Sequence, residues 1–317
     1  MFDLLALLAD GGFHSGSSLG DKLNISRAAI WKRIQRIITE LDITVQSVPG
    51  KGYRLEQPLQ LISKDFIQAS FPSLPVFVYG SIGSTNDQAK ELLSKQAAPL
   101  AVFAEHQTVG KGRRGREWVS PFAKNIYLSF VWPVTRGLNQ IDGLSLVVGL
   151  AVLKAIKRTS GIEAELKWPN DILINGRKVA GVLLELVGDP VELCHVIIGI
   201  GININMFDSL TDIDQEWTSL AKELGKTFDR EAVAKVLLEE LDSYLYRQKI
   251  YGFASMRAEW LSVHAWQGRN VVLRTGNDEV HGKVVGVGEK GELRLSVEGK
   301  EQSFLGGEIS LRLQNDT

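Results

Sequence analysis

The chain has 317 residues, 44% of them hydrophobic, and its 36 basic and 37 acidic residues leave a net charge of −1 at pH 7. A chain of this size folds into roughly two or three domains with buried cores. Its balanced charge excludes a protein that binds nucleic acid through an overall positive charge. Any cluster of basic residues in such a chain is therefore expected to bind a partner locally. The single cysteine, Cys194, excludes an internal disulfide framework and is typical of a reducing cytoplasm.

Several other classes are excluded by pattern. No apolar stretch reaches the roughly 18 residues of a membrane span, and the short apolar run at residues 4–9 has no basic segment before it, unlike a signal peptide. The five histidines lack ligand spacing, so no protein-held metal site is predicted. Cys194 and His195 are adjacent in a predicted strand and point to opposite faces, which favours a buried structural thiol over a nucleophile–base pair.

Residues 1–57 have the pattern of a winged helix-turn-helix domain. Helices are predicted over 2–10 and 17–23, and Ser26 is a good N-cap for a third helix that ends near residue 41. A hairpin with a basic tip, formed by residues 44–48 and 53–55, is the predicted wing. The apolar stripe of the third helix should face a core. It consists of Ile30, Ile34, Ile37, Ile38 and Leu41.

The opposite face of the third helix is the surface that a DNA major groove would meet. Residues 27–36 hold four basic residues and no acidic one, whereas residues 1–57 as a whole hold seven basic and six acidic residues, so the positive field is local. A helical domain that binds another protein is the alternative. With the wing tip, the predicted DNA contacts are Arg27, Ala28, Trp31, Lys32, Gln35 and Lys51.

The remainder divides into a linker, an α/β segment and a β-rich end. A linker or short helix follows Pro58, and residues 76–265 contain strands and helices that do not alternate strictly, which favours a mixed sheet over a doubly wound one. Short strands separated by turns at 276–278 and 288–291 predict a small C-terminal β-barrel. The predicted strands of the middle segment are 76–79, 101–105, 126–130, 171–174, 179–186 and 196–200, and its helices are 85–95, 138–159 and 230–248.

The most distinctive stretch is the basic loop GKGRRGR at residues 110–116, with four cations and three glycines. Such a loop offers positive charge and approachable backbone N–H groups to an anion. It could be a solvated loop, a nucleic-acid patch or a phosphate-binding loop of an enzyme. Its G-x-G-x-x-G spacing does not indicate a Rossmann fold, because a loop and a strand follow it where that fold needs a helix.

Three further polar stretches each have a plain structural explanation. Ser-Thr-Asn at 84–86 precedes a helix and could be only an N-cap. Lys-Trp-Pro-Asn-Asp at 167–171 leads into an Asn-Gly hairpin. Gly-Ile-Gly-Ile-Asn at 199–203 ends a buried strand and could be a bulge. None of the three predicts a function alone.

Taken in order, the motifs resemble those of the biotin-protein ligases. The six motifs are STN, GKGRRGR-x-W, KWPND, RK-V-A-G at 177–181, GIGIN and a C-terminal GGEIS-x-R that ends at Arg312. The winged helix ahead of them further resembles the bifunctional bacterial form, which is both ligase and biotin operon repressor. The loop of this family often reads GRGRRGR. Here Lys111 keeps the charge but lacks the planar fork of arginine needed for bidentate contacts.

The resemblance implies an α/β (α+β) chain of three domains. These are a winged helix-turn-helix DNA-binding domain over 1–60, a class II synthetase-like mixed-sheet catalytic domain over 61–266 and a small SH3-like barrel over 267–317. It also implies that biotin and ATP, with Mg²⁺, form biotinyl-5'-AMP, from which biotin passes to a lysine of the biotin carboxyl carrier protein of acetyl-CoA carboxylase. The adenylate-bound homodimer would bind operator DNA and repress biotin-synthesis genes. The implied location is the cytoplasm, without membrane attachment.

The resemblance also assigns residues, and the loop cations fit the chemistry because they offset repulsion between a carboxylate and a triphosphate. The catalytic set is Lys178, Arg113, Arg116 and Asp171. Biotin would contact Ser84, Thr85, Asn86, Gln107, Gly110, Lys111, Gly112, Arg113, Lys178 and Gly181, with Gly201 leaving space. Nucleotide would contact Arg113, Arg116, Asn170, Asn203, Trp217 and Arg312, under an adenylate-binding loop at 206–217.

Two alternatives stay open from the sequence. A lipoate ligase has a similar fold and the same acyl-adenylate chemistry, although the full basic loop, KWPND and the C-terminal barrel favour biotin. A transcription factor that only senses a small molecule is the other, and it would not need loop cations beside Lys178.

Overall fold

The computed structural model describes residues 1–41, 43–134, 137–189, 193–207, 213, 215–275, 278–306 and 309–314. Within them the chain forms an N-terminal helical unit, a central seven-stranded sheet covered by helices and a C-terminal five-stranded sheet. No helix of these residues is long and apolar enough to cross a membrane.

The N-terminal unit has three helices and a two-stranded wing, as predicted. They are α1 (Phe2–Leu8), α2 (Gly16–Leu23), α3 (Arg27–Leu41), β1 (Val45–Val48) and β2 (Gly52–Leu55). The Ser26 hydroxyl accepts a hydrogen bond from the Ala29 amide at 3.2 Å, so it caps α3. Ile30, Ile34 and Ile37 are buried, but the prediction for Ile38 was wrong: it is 36% exposed. One residue past Ile37 is a rotation of about 100°, which carries Ile38 off the core face.

The N-terminal unit packs directly against the central domain. The Phe2 ring stacks on Phe122 with 5.8 Å between centroids. A Cβ on Gly80 would lie 1.9 Å from the Phe2 ring, so only glycine leaves room for that ring. The Leu59 amide also donates to the carbonyl of Ala9. We call this contact the Phe2–Phe122 seam.

A buried ion pair holds the linker against the central domain. Arg230 is 1% exposed, and its guanidinium lies 2.7 Å from the Glu105 carboxylate. Arg230 also donates to the carbonyls of Asn125 and Gln60. Glu105 accepts from the Ile62 amide at 2.5 Å. The linker backbone is therefore hydrogen-bonded to the central domain at two points.

The central sheet has the strand order β3-β4-β5-β9-β8-β7-β6. The β3–β4 pair is parallel and the other pairs are antiparallel, so the predicted mixed sheet is confirmed. A large apolar core lies between this sheet and the long helices α6 and α8. The elements are α4 (Lys64–Ser70), β3 (Val76–Tyr79), α5 (Thr85–Leu92), β4 (Leu100–Ala104), β5 (Ile126–Val134), α6 (Leu144–Ser160), β6 (Glu165–Lys167), β7 (Asp171–Ile174), β8 (Arg177–Asp189), β9 (Leu193–Ile202), α7 (Leu220–Leu224), α8 (Arg230–Tyr251) and α9 (Arg257–Ser262).

The prediction of a single helix over residues 138–159 was wrong. A short 3-10 turn at Leu138–Ile141 is separated from α6 by Gly143, which has a φ of 65°. A Cβ on Gly143 would lie 2.6 Å from the ring of Phe253, so the break also makes room for that side chain. Cys194 is buried on β9, as predicted.

The C-terminal unit is an antiparallel sheet of order β13-β12-β11-β10-β14. Two of its strands, β13 and β14, were not predicted: β13 is mostly polar, whereas β14 alternates apolar and polar residues and its signal was missed. Residues 276 and 277 of the predicted turn lie outside the described part of the chain. The strands are β10 (Asn270–Thr275), β11 (Asp278–Val287), β12 (Leu293–Val297), β13 (Lys300–Phe304) and β14 (Ile309–Leu313).

Candidate active site

One cleft on the central sheet brings together residues from five of the six motifs. Its floor is formed by β8 and β9, and its walls are the N-terminus of α5 and the basic loop. The lining residues are Ser84, Thr85, Asn86, Gln107, Lys111, Gly112, Arg113, Trp118, Asn170, Lys178, Gly181, Val182, Leu183, Gly199, Ile200 and Gly201.

The N-terminus of α5 supplies the polar end of the cleft. Ser84 caps this helix by accepting from the Asn86 amide, so the structural explanation of this motif is also true. The Thr85 amide lies 2.8 Å from Gln107 Oε1, and the Thr85 hydroxyl lies 3.0 Å from the same atom. Gln107 in turn donates to the Ser120 hydroxyl. These groups form a fixed set of hydrogen-bonding atoms at one end of the cleft.

The basic loop closes on itself through backbone hydrogen bonds. The Gly112 amide donates to the Arg116 carbonyl at 2.7 Å, and the Trp118 amide donates to the Gly110 carbonyl at 2.9 Å. The Gly112 amide, which the resemblance offers to biotin, is therefore committed within the loop in this structure. The Lys111 side chain pairs with Asp87 at 2.5 Å on the outside of the loop.

The loop directs one of its arginines into the cleft. Arg113 donates to the Asn170 side-chain oxygen at 3.0 Å, across the cleft from the α5 terminus. Burial lowers the pKa of Arg113, whose guanidinium nevertheless stays charged at neutral pH. Arg116 is exposed; among the described residues it does not line this cleft, but it lines an adjoining cavity with Gly112, Arg113 and Leu183.

A second group of charges lies on the β7–β8 hairpin. Lys178 Nζ is 2.7 Å from Asp171 Oδ1, and Lys167 Nζ is 3.3 Å from Asp171 Oδ2. Burial opposes ionisation of Asp171, but attraction by Lys178 and Lys167 outweighs it and holds the pKa of Asp171 below its usual value. Burial also lowers the pKa of Lys167. The hairpin turns at Asn175 and Gly176, both with positive φ, as the Asn-Gly pattern predicts.

Trp118 forms an apolar wall of the cleft that the sequence reading had not included among the binding residues. Its ring lies over two strand glycines: a Cβ would be 3.1 Å from it at Gly181 and 2.4 Å at Gly201. Lys178 Nζ lies 5.3 Å from the ring centroid, a cation–π contact. The buried indole Nε1 has no hydrogen-bond partner within the described structure. Space for this ring explains why Gly181 and Gly201 are glycines.

The remaining nucleotide-binding candidates are less closely grouped. Asn203 is buried and donates to the Thr218 carbonyl, while Trp217 is 9% exposed with Lys222 Nζ 4.5 Å above its ring. Residues 216 and 218 pair with the backbone of Lys178, so this segment borders the cleft. Arg312 is exposed on β14. Residues 208–212 and 214 of the predicted adenylate-binding loop lie outside the described residues.

Sequence reasoning missed three further polar or small residues in or beneath the floor of the cleft. Ser129 lies on β5, Glu185 on β8 and Gly199 on β9, and all three adjoin Asn86. Of these, only Gly199 carried a signal, as the first glycine of GIGIN. A serine or glutamate within a strand does not stand out until the fold brings it beside the site.

The predicted DNA-contact residues share the exposed surface of α3 and the wing. Ala28, Lys32 and Gln35 are exposed along α3, and Trp31 is 53% exposed, unusual for a tryptophan. Arg27 is exposed at the helix start, and Lys51 is exposed at the wing tip.

Comparison with known proteins gives the same division of the chain. Residues 78–203 match the biotin/lipoate A/B protein ligase family, residues 1–54 match a helix-turn-helix domain, and residues 268–312 match the biotin protein ligase C-terminal domain. A bifunctional ligase/repressor of Salmonella typhimurium is 39% identical over 98% of this chain and 96% of its own. The chain belongs to the family of these bifunctional ligase/repressors.

Further family members match over at least 98% of their own length. A bifunctional ligase/repressor of Bacillus subtilis is 32% identical over 98% of both chains. A solved structure, biotin protein ligase from Aquifex aeolicus in complex with biotin and ATP, superposes with a TM-score of 0.66 at 32% identity, covering 76% of this chain and 99% of that one. The predicted fold class, a helix-turn-helix domain followed by a ligase domain and a small C-terminal domain, is confirmed.

Proposed function

We propose that the cleft is where biotin and ATP react to form biotinyl-5'-AMP in a biotin-protein ligase that is also a repressor. The observation that carries the proposal is the arrangement of charge. Neutral hydrogen-bonding groups around Thr85 and Gln107 lie at one end, and the cations Arg113 and Lys178 lie on the opposite side. Such a cleft suits a molecule with a polar neutral ring and a carboxylate tail.

In the first step, a biotin carboxylate oxygen attacks the α-phosphorus of ATP. The new bond is carboxyl oxygen to phosphorus, and the bond to the bridging oxygen breaks as pyrophosphate leaves. Arg113 and Lys178 offset repulsion between the two anions and stabilise the charge that builds on the α-phosphate. Because both side chains are already held by neighbours, little reorganisation is needed.

In the second step, a lysine amine of the acceptor attacks the carbonyl carbon of the mixed anhydride. An amide bond forms, the carbonyl carbon to phosphate oxygen bond breaks, and AMP leaves. The ionised Asp171 is placed to accept a hydrogen bond from the attacking amine, because attraction by Lys178 and Lys167 keeps it charged. The apolar wall formed by Trp118 helps to keep water from the reactive anhydride.

A protein-held metal site does not fit the residues present. The described residues contain no cluster of three or more groups that could hold a metal ion, and the carboxylate of Asp171 is already engaged by two lysines. Mg²⁺ therefore enters the proposal only as a companion of the ATP phosphates, and no step is assigned to it.

The regulatory half of the proposal rests on the helix-turn-helix domain. We place domain boundaries near residues 60 and 266, and we propose that an adenylate-bound homodimer presents two α3 helices to operator DNA. The proposed acceptor is the biotin carboxyl carrier protein of acetyl-CoA carboxylase. ATP, acceptor and operator occur together in the cytoplasm, where we place the activity.

The test is exchange of labelled pyrophosphate into ATP by purified protein, with biotin, with lipoate and with neither acid. We expect exchange with biotin alone. Exchange with lipoate alone would move the chain to the lipoate side of the family, and absence of exchange with either acid would favour a sensor that only binds a ligand.

A further inference from the structure

A chain of buried and half-buried polar side chains lies beneath the candidate biotin site and extends from Asn86 to two residues that the resemblance does not assign. Ser129 on β5 is fully buried, and its hydroxyl lies 2.8 Å from the Thr85 hydroxyl and 2.5 Å from Asn86 Oδ1. The Asn86 amide is 4% exposed and donates from its nitrogen to the Glu185 carboxylate. We call Ser129, Asn86 and Glu185 the Ser129 relay.

The sheet is shaped to admit this relay. Gly199 on β9 is paired with Ser129 on β5 and with Leu183 on β8. A Cβ on Gly199 would lie 2.6 Å from Asn86 Oδ1, so a side chain there would displace the amide. The Asn86 side chain thus lies flat over a glycine, between strands that carry Ser129 and Glu185.

The number of available protons limits the direction of each hydrogen bond. An ionised carboxylate only accepts, so Glu185 takes the N–H of Asn86, and the carbonyl oxygen of Asn86 must face Ser129. That oxygen only accepts, so Ser129 must donate to it. A hydroxyl has one proton, which Ser129 gives to Asn86, so we assign the Thr85 proton to the nearer of its two acceptors, Ser129 at 2.8 Å rather than Gln107 Oε1 at 3.0 Å.

The result is a fixed polarity at the mouth of the site. With its proton turned to Ser129, the Thr85 hydroxyl presents lone pairs toward the cleft. Gln107 Oε1, 3.0 Å away, is also an acceptor, since it receives the Thr85 amide. Two acceptor oxygens this close are satisfied by a donor placed between them, and a ligand can supply one.

We propose that the Ser129 relay is a positioning and specificity device that makes this end of the cleft select a ligand with a ring N–H donor. The inference rests on the proposed biotin site, and Ser129 acts through Thr85 without itself touching the ligand. A ring of the same shape without an N–H group leaves both oxygens unpaired and is rejected.

The experiment uses biotin and an isosteric cyclic carbonate analogue, in which oxygen replaces each ring N–H. Pyrophosphate exchange gives kcat and KM for both acids in the unsubstituted full-length chain and in Ser129→Ala. Ser160→Ala is the matched control, because Ser160 also has a hydroxyl in a local hydrogen bond, but on α6 away from the cleft.

In S129A the Thr85 proton turns to Gln107 Oε1, which removes that acceptor from the ligand. We expect the KM for biotin to rise about tenfold with kcat unchanged, the constants for the carbonate to stay the same, and the preference for biotin to fall about tenfold. S160A should leave the preference as it is. A merely structural role for Ser129 predicts equal losses for both acids.

An unchanged preference in S129A would overturn the relay while leaving biotin-dependent exchange, and so the proposed function, standing. Absence of biotin-dependent exchange in the unsubstituted chain would overturn both. Should S129A fail to fold, Glu185→Gln carries the same test, because a neutral amide no longer forces the orientation of Asn86. Its preference for biotin should fall in the same direction, and an unchanged preference there would also contradict the relay.

Discussion

Lys178 and Asp171 form a half-buried ion pair across the β7–β8 hairpin, with 2.7 Å between Nζ and Oδ1. The pair holds the lysine on the side of the cleft where Arg113 also lies. The cation that the sequence placed first among the catalytic candidates is thus held in position before any substrate binds.

Replacement of Lys178 by alanine should therefore reduce adenylation far more than it reduces stability. We expect kcat for biotin-dependent pyrophosphate exchange to fall by roughly 10²–10³-fold, as for loss of one preorganised electrostatic group. Lys154→Ala, a change at an exposed position of α6, is the control and should retain full activity. Undiminished exchange in K178A would remove Lys178 from the catalytic set.

Replacement of Gly201 by alanine should close the cleft from its floor. The new Cβ would lie 2.4 Å from the Trp118 ring, so the indole must move and the apolar wall is lost. We expect biotin affinity, measured by calorimetry, to fall at least about tenfold. Gly83→Ala is the matched control, since a Cβ there meets no atom within 4 Å. Equal affinities of G201A and G83A would contradict this role of Gly201.

The α3 surface can be tested separately from the cleft. Lys32→Ala should weaken binding to operator DNA in a gel-shift assay and reduce the dependence of affinity on salt by about one phosphate contact. Pyrophosphate exchange should be unchanged, because Lys32 is exposed on the N-terminal unit. Lys64→Ala, at the start of α4, is a lysine control outside that surface. Retention of full operator affinity in K32A would show that DNA meets another face.

The buried pair of Arg230 and Glu105 should matter for stability. Arg230→Ala leaves the Glu105 carboxylate buried without its cation and frees the linker carbonyl of Gln60. We expect the free energy of unfolding in urea to fall by about 3–5 kcal/mol. Arg158→Ala is the control, because that arginine pairs with glutamates at the surface and should cost under about 1 kcal/mol. Similar losses in the two variants would contradict the account.

His264 gives a pH dependence with a defined sign. Burial lowers the pKa of His264 to about 4, below its ordinary value of 6.5, and its ring packs against Trp260 in a tilted arrangement with 4.5 Å between centroids. As the pH is lowered, the unfolded chain takes up a proton at His264 at a higher pH than the folded chain does. The contribution of His264 to the free energy of unfolding is therefore complete above pH 6.5 and is lost as the pH falls toward 4. The loss is about 3 kcal/mol at this site.

The measurement is urea unfolding of the unsubstituted chain and His264→Gln across this pH range. The difference between the free energies of unfolding of the two proteins should become smaller as the pH falls, because all their other titrating groups are the same. A constant gap would show that His264 protonates equally well in the folded chain.

The parts of the fold with strong local signals could be predicted from sequence. Ser26 and the Asn175–Gly176 turn fixed element boundaries because capping and turn geometry depend on few residues. The break at Gly143 could not be predicted, because it depends on Phe253, which is distant in sequence. Ile38 was misplaced because a stripe of isoleucines does not show which member lies at its edge.

The same difference between local signals and contacts distant in sequence holds for the residues of the site. Lys178, Asp171 and Arg113 stood in charged motifs and do meet in or beside the cleft. Ser129 was invisible in sequence, since a serine in an apolar strand acquires a role only from Thr85 and Asn86 above it. The position of Arg116, in the adjoining cavity rather than the cleft, depends on how the loop folds back through the Gly112 amide.

The Phe2–Phe122 seam has a consequence for how DNA spacing is set. Because aromatic packing joins Phe2 of the N-terminal unit to Phe122 of the central domain, the orientation of α3 relative to that domain is held. In the proposed dimer, the distance between the two α3 helices is then fixed by how the central domains meet. The Phe2–Phe122 seam thus sets the spacing of the DNA half-sites that the dimer can bind. Loosening it with Phe2→Ala would let one dimer bind half-sites of several spacings.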